Sequence, residues 1–248
     1  VALQLGITER TSIYANIHGG FNHNTFLDKM GESRYFIAAE NVKPSFSIVD
    51  IDGGFRIGDA DGFRFDLFGG FKKTDDEHFL VLHGTVEYDG LLAGPFYEGL
   101  KPLYGDLSHT HLGGMVQVGM WAPLDLSLRL TKNFYTVQNL SVGETLNDDP
   151  KAYNKPGLEV DLKGSLEVSD KLSFNMNYYF AGDRWSYFVG ENMEMENIND
   201  LNLGAAYKIN KAFSFSVKAN NMMNQQYDLW YGHPAQGFNI MGGFTFRF

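Results

Sequence analysis

The sequence of 248 residues contains no cysteine, which removes a disulfide framework, thiolate metal sites and thiol nucleophiles. It has no stretch approaching the roughly 18 consecutive apolar residues that a membrane helix needs. Its mean hydropathy of −0.25 looks like that of a soluble protein. That value does not exclude a membrane barrel, because only alternate residues of a barrel strand face lipid. Positive charge is in short supply: 20 Lys and Arg against 30 Asp and Glu give a net charge of −10, which disfavours nucleic acid as a partner. No Pro/Ser-rich linker divides the chain, so one domain over 1–248 is expected. No leader pattern stands at Val1, so the sequence is expected to be a mature chain or a piece of a longer one.

What is present is glycine (28 residues), phenylalanine (21) and tyrosine (13), the mixture expected of many twisted strands. A strict period of two runs through the chain. Leu172, Phe174, Met176, Tyr178 and Phe180 fall on one face and Ser173, Asn175, Asn177 and Tyr179 on the other, because successive strand side chains point to opposite sides. At the end, Phe238, Ile240, Phe244, Phe246 and Phe248 alternate with Asn239, Thr245 and Arg247. Apolar on one side and polar on the other suits an all-β, transmembrane, antiparallel up-and-down barrel. A secreted β-sandwich is the plainer alternative.

About a dozen strands are expected, near 1–7, 11–22, 44–57, 63–72, 78–89, 109–121, 124–136, 157–168, 171–182, 200–209, 212–222 and 236–248. Short turns (8–10, 58–62, 122–123, 169–170, 210–211) trade places with long loops (23–43, 90–108, 137–156, 183–199, 223–235). Short periplasmic turns opposite long extracellular loops are the bacterial barrel pattern and argue against the sandwich. The up-and-down alternation does not close across 73–108 without an extra short strand near 91–97. If short turns are periplasmic, strand 1–7 runs downward, which leads us to expect at least one strand upstream of Val1.

The Asn-rich stretch Asn220 to Tyr227, the Gly/Pro-containing connection Gly232 to Phe238 and the closing strand to Phe248 resemble the C-terminal end of TonB-dependent outer-membrane receptors. The Asn/Met/Tyr-rich flavour is similar to the Bacteroidetes branch. The resemblance implies, in a Gram-negative outer membrane, either the C-terminal portion of a plugged barrel, with upstream strands and plug outside these residues, or a receptor-derived barrel without a plug. It implies nutrient uptake coupled through TonB by that absent N-terminal region. It implies outer-membrane lipid, the barrel-assembly machinery (through Phe248) and a surface lipoprotein as partners, and no cofactor. Phe244, Phe246 and Phe248 would form the closing strand.

Charges on the polar faces, Asp50, Asp52, Arg56, Arg64, Asp66, Asp125, Arg129, Glu159, Asp161, Lys163, Lys218 and Arg247, are expected to line a lumen, since charge at membrane depth must face water or a partner. They would form a polar pathway, a wall against a plug, or cross-strand pairs that brace the sheet. Tyr97, Tyr104, Trp185, Tyr187, Trp230 and Tyr231 fall beside the long loops. They are expected either as an interfacial girdle, with Trp121 at the opposite rim, or as extracellular ligand contacts. Ser108-His109-Thr110-His111 offers a histidine pair or a Ser/His dyad, but without a triad or oxyanion motif no catalytic or metal site is assigned there. Asp148-Asp149 and the acidic stretch 191–200 lack oxygen-ligand spacing and are read as solvated loop charge. A passive porin-like channel and, behind it, an outer-membrane hydrolase are the alternatives to a receptor.

Overall fold

The computed structural model describes residues 1–37, 42–59, 62–89, 92–121, 123–143 and 145–247, the side chains of 84–89, 92–98, 120 and 121 excepted. Its strands are β1 Ala2–Thr8, β2 Thr11–Asn22, β3 Ser45–Gly58, β4 Phe63–Asp89, β5 Leu92–Trp121, β6 Leu124–Gln138, β7 Ser141–Val142, β8 Thr145–Leu146 and β9 Leu158–Glu167. They continue as β10 Leu172–Gly182, β11 Arg184–Phe188, β12 Glu191–Met195, β13 Ile198–Lys208, β14 Phe213–Asn220, β15 Asp228–Trp230, β16 His233–Pro234 and β17 Asn239–Phe246. One helix, α1 Phe26–Glu32, lies between β2 and β3. No helix among the described residues is long and apolar enough to cross a membrane, which says nothing of crossing by strands.

Eleven strands form one sheet in the order β1-β2-β3-β4-β5-β6-β9-β10-β13-β14-β17, and every neighbouring pair is antiparallel. The remaining six pair as hairpins β7–β8, β11–β12 and β15–β16 outside it. This is an up-and-down sheet. Because eleven is odd, β1 and β17 run in the same direction, and among the described residues nothing pairs them. The short turns are tight. At Gly58, where φ is +84°, an added Cβ would stand 1.7 Å from the Phe63 carbonyl oxygen, so only glycine can make that turn.

Two expected strands prove to be parts of longer ones. The spans 63–72 and 78–89 are one strand, β4, and from Leu92 onward the expected loop 90–108, with the extra strand near 91–97, belongs to β5, residues 90 and 91 lying outside the described ones. The polar run Lys72 to His78 imitates a turn but carries the strand through a bulge between Thr74 and Glu77, with Asp76 at φ 52°. Pro102 is tolerated because β6 pairs with β5 only from Asp106 onward, so no β6 carbonyl there calls for its missing N–H. With this one long hairpin the up-and-down parity closes.

Cross-strand register sets the two faces. A single row runs Ser12, Arg56, Asp66, Met115, Arg129, Asp161, Tyr179 and Asp200 across eight strands. On the opposite face the apolar residues stand exposed, among them Leu5 (67%), Leu67 (57%), Leu128 (44%) and Phe244 (74%). The phenylalanines of the last strands, Phe213, Phe215, Phe244 and Phe246, pack ring to ring along that face. An exposed apolar surface this extensive suits a wall that meets lipid rather than water.

The buried apolar core lies elsewhere, at the long-loop end. Phe79, Val81, Leu107, Val137, Leu140, Ala152 and Tyr153 form one cluster, and Phe36, Leu80, Leu82 and Leu100 another. Phe79-Leu80-Val81-Leu82 lies on the upper β4–β5 hairpin and is covered on both sides. The loop after β6 and β11 covers one side, while the segment after α1 and the β15–β16 hairpin cover the other. Leu100 locks the second side through a parallel bridge to Phe36, with Leu100 N donating to Tyr35 O and Ile37 N to Leu100 O. These connections form a folded cap.

Candidate functional site: a charged face beneath a packed cap

Asp50, Asp52, Arg56, Arg64, Asp66, Arg129, Glu159, Asp161 and Lys163 all fall on the polar face by register, as do Asp125 and Lys218. That face is concave over β2–β6, where a hollow of about 640 Å³ is lined by Tyr14, Asp52, Arg56, Arg64, Asp66 and Arg129 among others. Asp66, only 4% exposed, accepts from Arg56 Nε at 2.8 Å and from Arg64 Nε at 3.0 Å and Nη2 at 2.5 Å. Arg64 can reach it because residues two apart on a strand share a face. Lys72 stands 3.9 Å from Asp50, and His111 Nε2 lies 3.3 Å from Asp52 Oδ1. Glu159 accepts from Asn133 at 2.9 Å and from the Tyr179 hydroxyl at 3.2 Å, and Lys163 pairs with Asp161 at 2.8 Å. Arg129 differs from the rest: it stacks on Phe68 at 4.2 Å and has no carboxylate within 4.0 Å among the described residues.

Above this hollow, a second cavity of about 270 Å³ lies under the cap, lined in part by Glu32, Lys72, Glu77, His78, Lys155 and Trp230. The helix α1 reaches it because Thr25 and Asp28 form a reciprocal capping box. Lys29 on this helix points inward, 3% exposed, toward Glu32 and His78. His78 Nε2 lies 2.8 Å from Glu32 Oε2 and 2.6 Å from Lys29 Nζ, and Lys155 Nζ donates to Glu77 at 3.0 Å. Burial pushes the Glu32 carboxyl up, but the hydrogen bond from His78 and the charges of His78 and Lys29 outweigh it and hold the group below its ordinary range. At Glu77, burial is likewise overcome, chiefly by the charge and hydrogen bond of Lys155, with a net lowering. Burial pushes the Tyr153 hydroxyl up to about 12, and it serves as a bridge between Asn147 (2.8 Å) and Asn192 (2.7 Å).

The loop aromatics are woven into the cap. Trp185 and Tyr187 pack on the first cluster, and Trp230 and Tyr231 on the second. They lie in the β11–β12 and β15–β16 hairpins, off the wall, so they form no interfacial girdle. Trp230 also lines the upper cavity, Tyr104 and Tyr187 line a hollow of about 580 Å³, and Tyr231 lines another of about 630 Å³. The side chains of Tyr97 and Trp121, and Phe248 altogether, lie outside the described residues.

Ser108 and His109 occupy opposite faces of β5, since their register partners on β4, Lys73 and Lys72, are themselves consecutive. A hydroxyl and a base turned apart cannot work as a dyad. His109 and His111 do share a face, with ring centroids 5.4 Å apart, but His109 Nε2 is engaged by Asn133 Oδ1 at 2.9 Å and His111 by Asp52. Among the described residues no group of three or more His, Asp or Glu is placed to hold a metal ion. Residues 191–195, expected as loop, are strand β12. Asp149 is tied to Lys151 and Asn192.

Sequence reasoning missed Lys29, Glu32, His78, Glu77 and Lys155. The capping pair Thr25/Asp28 could have signalled α1. It also missed Arg184, whose buried guanidinium donates to the carbonyls of Asp228 (2.9 Å), Leu229 (2.7 Å) and Glu196 (3.4 Å) and so ties two hairpins together. The Asn-rich stretch has a structural reading. Asn221 Nδ2 donates to Gln225 O and Gln236 O while its Oδ1 accepts from Gln225 N, and Tyr227 packs with Ala181 and Ile198.

No family model and no curated protein matches the sequence. Solved structures do match, at full coverage of this chain and low identity. The copper transporter OprC superposes with a TM-score of 0.64 at 12% identity over 99% of this chain and 38% of its own. The ferric-catecholate import receptor Fiu from K12 E. coli gives 0.66 at 14% over 100% and 34%. The pyoverdine outer-membrane receptor FpvA from Pseudomonas aeruginosa PAO1 gives 0.66 at 15% over 100% and 35%. The chain thus spans little more than a third of the length of these proteins. Its fold is that of the barrel portion of TonB-dependent outer-membrane receptors.

Proposed function

We propose that the chain is wall and cap of a bacterial outer-membrane receptor for nutrient uptake, coupled to energy through TonB in the full-length protein. One observation carries the reading: a single sheet exposes an apolar band on one face, a charged hollow on the other, and a packed roof over its long-loop end. A passive pore conducts best with an open mouth; a roof with its own buried core favours capture followed by gated entry. The short turns then face the periplasm and the cap faces the medium. The matching receptors are named for copper, ferric catecholate and pyoverdine, so metal chelates are the first class to screen. TonB would act through a region outside these residues. The assembly machinery would engage Phe248, and a surface lipoprotein would meet the cap.

The test is uptake of radiolabelled metal chelates by cells with and without the gene. Uptake that needs the gene and stops on adding a protonophore supports the reading. Steady ion conductance of the purified full-length protein in planar bilayers, with uptake indifferent to the protonophore, replaces it with a passive channel.

A further inference from the structure

Arg129 is held in place without being neutralised. Its register partner on β9 is a carboxylate, Asp161, yet the guanidinium turns the other way, onto Phe68. Asp161 Oδ2 instead takes Lys163, and its buried Oδ1 has no hydrogen-bond partner. Phe68 is fixed by a neighbour with no side chain: a Cβ added to Gly113 would stand 2.5 Å from Phe68 Cζ, so the ring lies over bare backbone. The same stack repeats nearer β2. Tyr14 lies over Gly54 with its hydroxyl 2.5 Å from where a Cβ would be, and Arg56 sits 5.2 Å above the Tyr14 ring. There Asp66 completes the arrangement by binding Arg56. At Arg129 the corresponding carboxylate is missing. Among the described residues that line the hollow, Arg56, Arg64 and Arg129 stand with the carboxylates Asp52 and Asp66, and Asp66 already serves two arginines.

We propose that Arg129, braced on Phe68, is a docking point for an oxyanion inside the hollow, a carboxylate being the best fit. A guanidinium resting on a ring keeps N–H groups for a planar, two-oxygen acceptor, and stacking fixes it before the acceptor arrives. The carboxylate comes either from a small polyanionic solute or from an acidic side chain of a polypeptide segment lodged against this face. This goes beyond the uptake reading and requires only that the polar face be reachable in the purified protein.

The experiment uses full-length protein in detergent at low ionic strength, with citrate as the probe in calorimetric titration, on wild type, Arg129→Gln, Arg129→Lys and Phe68→Leu. If the source is a solute, citrate binds and Arg129→Gln weakens it about tenfold or more. Arg129→Lys then falls between, and Phe68→Leu weakens binding because the freed guanidinium can swing to Asp161. If a lodged segment already supplies the carboxylate, citrate does not bind wild type. Arg129→Gln then raises hydrogen exchange in one Asp- or Glu-bearing interior segment while the wall strands keep their protection. Arg129→Lys, which preserves the charge, guards against a folding defect. Citrate binding that is unchanged in Arg129→Gln overturns the proposal, as does an absence of binding together with unchanged exchange in that variant.

Discussion

The lower and upper parts of the β4–β5 hairpin answer opposite demands with the same strands. In the lower part of β4, Leu67 and Phe71 are 57% and 40% exposed while Asp66, one residue from Leu67, is 4% exposed. In the upper part, Phe79, Leu80, Val81 and Leu82 follow one another without alternation and are all 1–4% exposed. A strand between lipid and water must alternate, whereas a strand covered on both faces reads as an unbroken apolar run. The surroundings of each face, rather than strand propensity, write the pattern. On the proposed reading the wall draws its stability from the bilayer and from its ladder of hydrogen bonds, and the cap from a buried apolar core.

The largest expected effect separates the two directly. Phe79→Ala should cost the cap about 3–5 kcal/mol, the usual range for emptying a buried aromatic site. Hydrogen exchange should rise across 79–82, 137–140 and 152–153 with the wall strands still protected. A loss of protection that spreads evenly into β9 and β10 would show that cap and wall are one cooperative unit. Next, Leu128→Arg on the apolar face should cost about 2–4 kcal/mol if the site lies near the bilayer midplane, measured as refolding equilibrium into liposomes. A near-zero cost would mean that this face does not meet lipid. Arg184→Met should cost about 2–3 kcal/mol by leaving three carbonyls without their charged donor. The expected sign is faster proteolysis within 183–197 and 223–237.

The smallest effect is that of pH. The lowered values of Glu32 and Glu77 mean that the stability they lend the cap is complete above the ordinary glutamate range and is lost as pH falls through their values in the folded protein. Fluorescence of Trp185 and Trp230 should report loosening as pH falls below the ordinary glutamate range, before β-sheet circular dichroism changes. Glu77→Gln should flatten that step.

Most of the wall was legible because its two faces meet different solvents. Leu172 to Phe180 and Phe213 to Ala219 are strands in the structure as expected, and the polar-face charges fall in common rows. The cap was not, because its signals were those of a water-soluble fold. The run Phe79 to Leu82 was absorbed into a wall strand, Asp75-Asp76 imitated a turn, and Gly94, Pro95 and Pro102 imitated a loop. For Trp185 and Trp230 the sequence leaves a membrane rim and loop ligand contacts both open, since rings at strand ends fit either, and in the structure they pack on the core of the cap. At the polar face the residues were readable but their pairing was not. Nothing in the sequence says that Arg129 would prefer Phe68 to the Asp161 beside it, a choice that depends on Gly113 two strands of register away from Asp161.

The shared direction of β1 and β17 has a practical side. Among the described residues both outermost strands present rows of unpaired backbone donors and acceptors, and every residue of β1 is exposed. Such borders invite strand addition from any neighbouring chain. Two copies related by rotation about an axis along the strands would bring like-directed borders together, giving a parallel seam in an otherwise antiparallel sheet. Produced in isolation, these residues should therefore aggregate in solution edge to edge, and an added peptide whose strand runs against β1 should suppress that aggregation.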